Sequence, residues 1–325
     1  MKYYNGRSIF AFYRFSMLNR YLTFYNSPIQ FVVFCAILSM SFLVGGSLIE
    51  FLNTQIIGFS NEEILGMKDI SSELSNKLKF VNATLLAITL LLPAIIFSYL
   101  AYPKPTKYLG LDALRKKHHL LWGITLILIA IPFTSLLEEW SQLIPAIGNS
   151  NELDEKYNQL ATSMLKGSSL TDLFSNIFFI CIMPALIEEI FFRGCLQNIL
   201  LHWMRKTPIA AILLVAVLFS VFHGQLSGFF PRIFLGLLLG LSYYYSGSLW
   251  VSMFMHVVNN LVTVVFVYMF NNQITDIDLT KLPAMNIWLG LLSFIAVIAM
   301  VYLFYKDRKE YEIIEVEKEE LPKIQ

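Results

Sequence analysis

The chain has 325 residues, 56% of them hydrophobic and only 14% charged, and its net charge is +1. Soluble globular chains carry about 25% charged residues, so the composition excludes an ordinary water-soluble domain. The near-zero net charge excludes a broad nucleic-acid surface. Three cysteines, Cys35, Cys181 and Cys195, all lie in apolar runs with no metal-ligand spacing. They fit neither a disulfide framework nor a cysteine-based zinc site.

In chain order, a basic and aromatic N-terminus with no small-residue cleavage site reads as no removable signal peptide. Apolar runs long enough for a membrane helix follow at roughly 30–51, 81–102, 119–138, 172–203, 208–223, 229–246, 248–270 and 285–305. The expected fold class is therefore all-α, a polytopic membrane helix bundle of about eight transmembrane helices. The fifth run is short, and the sixth opens with Pro231 and Arg232. The sixth also holds Gly236 and Gly240, a small-xxx-small pattern that reads as close helix packing.

Two long polar segments, 52–80 and 139–171, interrupt the apolar runs, and a tail of alternating charge follows Lys306. Lysine and arginine concentrate on the N-terminus, on 104–117, on 205–206 and after 305. That bias predicts an even number of spans with both termini cytoplasmic. A multi-pass protein of a bacterial inner membrane fits these features.

The fourth run contains Glu188, Glu189 and Arg193 within otherwise apolar sequence. Ionisable groups in hydrocarbon are costly, and they are functional candidates by default. On a helix Glu189 and Arg193 share a face and can pair, whereas Glu188 is turned away toward another helix. Of the five histidines, His118, His119 and His202 lie near span ends and read as interfacial residues. His223 closes the fifth run one turn after Phe219, and His256 lies inside the seventh with Asn260 one turn later. Polar groups in lipid must find partners, so three helices offering complementary partners predict one shared site. A second acidic pair, Glu138 and Glu139, ends its span beside Trp140 and reads as a solvated helix end. Helix rise places His223 about 22 Å and His256 about 12 Å from the starts of their runs, a mismatch the packing must reconcile.

EExxxR at Glu188, Glu189 and Arg193, FxxxH at Phe219 and His223, and HxxxN at His256 and Asn260 resemble the three motifs of the CAAX prenyl protease and bacteriocin-processing family, also called CPBP or Abi. The resemblance covers roughly residues 172–270, and it implies an intramembrane endopeptidase acting on membrane-associated peptides or proteins, prenylated or leader-bearing. The chain then divides into N-terminal helices and loops (1–170), a catalytic helical core (171–270) and a last span with its tail (271–325).

Peptide hydrolysis needs a base for water, an oxyanion donor and an acid for the leaving amine. Glu188 suits the base, His223 can hold the water, and His256 with Asn260 can face the oxyanion. Glu189 and Arg193 support them. The resemblance implies the same cast, with the first glutamate and both histidines at its centre. No cofactor is required by this set. The alternative is zinc or another divalent metal on His223, His256 and Glu188. The competing functions are an ion- or proton-coupled transporter using the same charges as a relay, and a non-catalytic scaffold in which polar groups join helices.

Overall fold

The computed structural model describes residues 21–67, 70–112, 114, 116–141, 150–276 and 285–308. In chain order the helices are α1 Ser27–Ile57, α2 Asn61–Leu65, α3 Ser72–Ala101, α4 Pro105–Tyr108, α5 His118–Ser141, α6 Ser150–Leu165, α7 Leu170–Trp203, α8 Pro208–Phe222, α9 Phe229–Ser246, α10 Leu249–Asn271 and α11 Ile287–Lys306. No strand occurs among the described residues. The architecture is a polytopic helical bundle. Each of the eight apolar runs is a helix, and six (α1, α3, α5, α7, α10 and α11) are long and apolar enough to cross a membrane. α8, with 15 residues, extends about 22 Å, less than the roughly 30 Å hydrocarbon core.

Two spans are interrupted where a proline falls inside them. In α3 a π-helical turn, Ala87–Leu91, precedes Pro93. In α7 another, Ile177–Ile182, precedes Pro184. Proline removes one backbone donor and its ring crowds the preceding turn; a wider turn relieves that crowding without breaking the helix. α7 widens a second time over Ile190–Gln197, directly after the glutamate pair.

The core has two halves. One joins α1, α3, α7 and α8 around Phe34, Phe97, Phe191, Phe192 and Phe219. The other joins α5, α9, α10 and α11 around Leu126, Leu239, Met255 and Phe304. α9 packs on α8 and also reaches α7, and its glycines set the spacing. A Cβ on Gly236 would stand 3.0 Å from the Ala216 backbone, and one on Gly240 would stand 2.7 Å from Ile212. The same two residues leave their carbonyls open to α7: Arg193 Nη2 donates to Gly236 O at 3.0 Å, and Gln197 Nε2 donates to Gly240 O at 3.0 Å. The glycines thus serve close packing, as their spacing predicts, and their carbonyls each accept a bond from a buried polar side chain.

The polar segments are built in. At one end of the bundle Ile57, Ile64, Leu78, Val81 and Met164 make a small apolar cluster, and Ser75 Oγ donates to Met164 O at 3.0 Å. At the other, basic end α5 and α11 are joined through Asp307. Its carboxylate receives Lys116 Nζ at 2.6 Å, His118 Nε2 at 2.6 Å and His119 Nε2 at 3.0 Å. The two histidines are therefore paired across helices rather than simply interfacial. Also at the basic end, the α4 segment supports the start of α10: Leu249 N–H donates to Gly110 O at 2.9 Å and Trp250 Nε1 donates to Leu111 O at 3.2 Å. All three cysteines are free.

Candidate active site

Glu188 and Glu189 close the α-helical stretch Met183–Glu189, and Arg193 lies within the π-helical stretch that follows. Arg193 Nη1 donates to Glu189 Oε1 at 2.7 Å, and both side chains are fully buried. The remaining wall of the guanidinium pocket is aromatic, with the Phe219 ring 4.8 Å from the guanidinium carbon. A buried ion pair of this kind loses hydration that only good geometry and further bonds repay. Here the Gly236 carbonyl supplies one of those bonds.

The same Glu189 oxygen also receives His256 from α10. Its Nδ1 lies 2.9 Å away, while its Nε2 faces Glu188 Oε2 at 3.9 Å. Arg193, Glu189, His256 and Glu188 thus form one chain of contacts through the bundle. A carboxylate oxygen bonded to arginine can only accept, so the His256 proton facing it sits on Nδ1. In the neutral ring Nε2 is then a bare acceptor turned toward Glu188.

His223 caps α8. Its Nδ1 lies 2.7 Å from Phe219 O, and a carbonyl likewise only accepts, which leaves this Nε2 as a second bare acceptor. The Phe219 ring stands between the two histidines, 4.8 Å from His223 and 5.8 Å from His256 by ring centroids. His223 also lies within electrostatic range of both Glu188 and His256. Asn260 continues the His256 face by one turn. It is half-buried, and its Oδ1 accepts from Asn259 Nδ2 at 3.4 Å. No bond joins it to the glutamates or histidines among the described residues.

The depth mismatch expected between His223 and His256 does not keep them apart: both rings stand against the Phe219 ring. Leu249, at the start of α10, is fully buried and sits on the α4 segment. Asn198 of α7 donates to Tyr108 O at 2.7 Å and accepts from Tyr243 Oη at 3.1 Å, which marks the same level. From that level His256 rises about 10 Å and Glu189 about 13 Å or less.

Two buried oxygens stand out. Glu188 Oε2 and Glu189 Oε2 have no hydrogen-bond partner among the described residues. Buried polar atoms without partners are uncommon and call for an explanation. The bare Nε2 atoms of His223 and His256, with Glu188 Oε2, are donors of the type a divalent metal takes, but among the described residues only His118, His119 and Asp307 bring three such atoms within 4.8 Å of one another. The His223 and His256 rings are both held at Nδ1 by an oxygen, the usual outer support of a ligating histidine.

His202 lies apart from the site: its Nδ1 is 2.6 Å from Asn198 O. The reading of Glu138 as a solvated helix end is corrected. It is half-buried, and its Oε2 and the Arg232 guanidinium both lie against Gly228. The partner lies at the start of α9, a pairing that local spacing around Glu138 does not reveal. Glu139, the other member of that pair, accepts the Met285 backbone N–H.

Compared with known proteins, residues 170–262 match the family model described as type II CAAX prenyl endopeptidase Rce1-like. No curated protein and no solved structure gives a significant match. The matched segment runs from the start of α7 into α10 and contains all three motifs. Over residues 170–262 this integral membrane protein is therefore similar to the Rce1-like family of type II CAAX prenyl endopeptidases, in keeping with the CPBP resemblance.

Proposed function

We propose that the chain is an intramembrane endopeptidase in which Glu188 activates the attacking water. The observation that carries this reading is the buried, unpartnered Glu188 Oε2 facing the bare Nε2 of His256 at 3.9 Å. The family match supports a CAAX-type peptidase acting on membrane-associated peptides. The residue roles are our own reading.

A water seated beside Glu188 and His256 gives a proton to Glu188 as its oxygen attacks the scissile carbonyl carbon. The C–N bond then breaks, and that proton passes to the leaving amine, through Glu188 or through His256 Nε2. Glu189 holds His256 at Nδ1, which stabilises the imidazolium if the ring takes the proton. Asn260 offers an uncharged amide donor one turn away for the oxyanion. His223 Nε2 accepts a hydrogen bond from the water or from a substrate amide. If the protein binds a divalent ion, Glu188, His223 and His256 would hold it, and it would supply Lewis-acid polarisation. The residue chemistry above needs no such group, and elemental analysis of active protein decides between the two.

The distribution of basic residues supports an orientation. Lys104, Lys107, Lys116, Lys117, Arg205, Lys206 and Arg308 lie at one end, which favours a cytoplasmic face there and both termini inside. A bacterial inner membrane fits, as does a division into helices 1–170, a catalytic core 171–270 and a last span with its tail.

The test is cleavage in proteoliposomes of membrane-tethered peptides, prenylated and unprenylated, with products identified by mass spectrometry. Cleavage by wild type, lost in Glu188→Gln, is the expected result. Cleavage undiminished in Glu188→Gln would overturn the assignment, and cleavage of no peptide would count against a peptidase.

A further inference from the structure

We infer that Asp154 and Arg232 are positioning residues for His223, so that α6, outside the matched domain, is part of the catalytic apparatus; this rests on the proposed reading of His223. His223 is the C-cap of its helix, where the chain lacks the backbone partners that fix a helix interior. Beyond it the chain reverses in a short turn between two left-handed glycines, Gly224 (φ 67°) and Gly228 (φ 73°). The turn bonds part of its own backbone, Gly224 N–H to Val221 O at 3.0 Å and Phe229 N–H to Leu226 O at 3.1 Å, but Gln225 O, Ser227 O and Ser227 N–H are held by side chains from other helices, and the position of His223 depends on them.

Four elements hold it. From α9, Arg232 Nη2 donates to Gln225 O at 2.6 Å and to Ser227 O at 2.5 Å. From α6, Asp154 Oδ2 accepts from Ser227 N at 2.8 Å. From α8 itself, Ser220 Oγ donates to Phe229 O at 2.8 Å. From α5, the Glu138 carboxylate lies against Gly228 beside the Arg232 guanidinium. One turn along α6, Asn158 meets both Ser227 and Gln225 at 3.4 Å.

The burial pattern shows that these bonds are more than surface decoration. α6 is polar, and Glu152, Leu153 and Glu155 around Asp154 are exposed, yet Asp154 is buried. Charges used merely to join helices would be expected between helix flanks. Here both the acid and the base spend their bonds on the backbone of the turn that follows His223. Loss of either leaves unsatisfied turn groups and frees the end of α8 to shift, and small displacements of a reacting group carry large rate costs.

The experiment uses the full chain in proteoliposomes with the peptide that wild type cleaves. Asp154→Ala should lower kcat about tenfold or more, with KM nearly unchanged, because geometry rather than binding is lost. Asp154→Asn keeps an oxygen for Ser227 N–H and should recover most of that loss. Arg232→Ala should act like Asp154→Ala; if it fails to fold, the Asp154 pair carries the test. A second readout needs no activity: the rate at which His223 is acylated by a pyrocarbonate, followed by mass spectrometry, should change several-fold in Asp154→Ala and return in Asp154→Asn. If wild type cleaves no peptide, the proposed function fails, while the acylation rates still decide the clamp. Unchanged acylation in Asp154→Ala, or equal loss of kcat in Asp154→Asn, would overturn it.

Discussion

Two clusters in this bundle share the same ingredients: acid, base and histidine brought together from different helices. At the basic end Lys116, His118 and His119 meet Asp307; in the middle Arg193 and His256 meet Glu189, with Glu188 beside them. In the end cluster both oxygens of the carboxylate are occupied, one by Lys116 and the other by both imidazoles. Their spacings of 2.6 to 3.0 Å are direct hydrogen bonds, closer than donors stand when they share an ion at about 2.0–2.1 Å from each. In the central cluster one oxygen of Glu189 takes two donors, and one oxygen of each glutamate is buried without a partner. A carboxylate with both oxygens occupied fastens helices. A carboxylate with a buried oxygen left over keeps a capacity for water or substrate, and that spare oxygen on Glu188, more than its charge, is what the proposed site rests on.

The comparison can be broken most severely at Arg193. Arg193→Ala removes one partner of a fully buried pair and strands Glu189, at a cost of about 3–5 kcal/mol. Thermal unfolding in detergent and the yield of folded protein should both fall sharply. A well-folded but inactive Arg193→Ala would instead put the arginine in the chemistry.

Gly240→Ala probes the frame rather than the charges. Its new methyl would stand 2.7 Å from Ile212 and 2.8 Å from Gln197 Oε1, so α9 must move away from α7 and α8. Overpacking of this kind costs about 1–3 kcal/mol. It should lower unfolding temperature and loosen the central cluster while leaving the Asp307 contacts in place.

The smallest effect belongs to the end cluster. Lys116 first, and then His118, hold the Asp307 carboxyl well below the usual carboxylate range. A group with a depressed folded pKa stabilises the fold above its unfolded value, about 3.9. That contribution is lost as pH falls through the folded value. Asp307→Asn should therefore narrow the stability difference between neutral and acidic pH only slightly, measured as unfolding temperature against pH.

Much of this organisation is legible in the sequence. Glu188, Glu189 and Arg193 stand out because charge is expensive in an apolar run, and helical spacing alone pairs Glu189 with Arg193. Helices at the eight apolar runs follow from hydropathy. The attachment of His256 to Glu189 does not, because the start of α10 is held by Gly110 and Leu111 far upstream. The widened turns of α7 are equally hidden, since no periodicity announces a π stretch. Glu138 misleads for the same reason as His118 and His119: each looks like a solvated span end until a partner arrives from a distant part of the chain.

The most direct measurement sets the two clusters side by side. Peptide turnover is measured for wild type, Glu188→Gln and Asp307→Asn in the same proteoliposomes, with unfolding temperatures as the control. Glu188→Gln should lose about a hundredfold or more in kcat while remaining folded, and Asp307→Asn should stay close to wild type. Retained turnover in a folded Glu188→Gln would contradict the account.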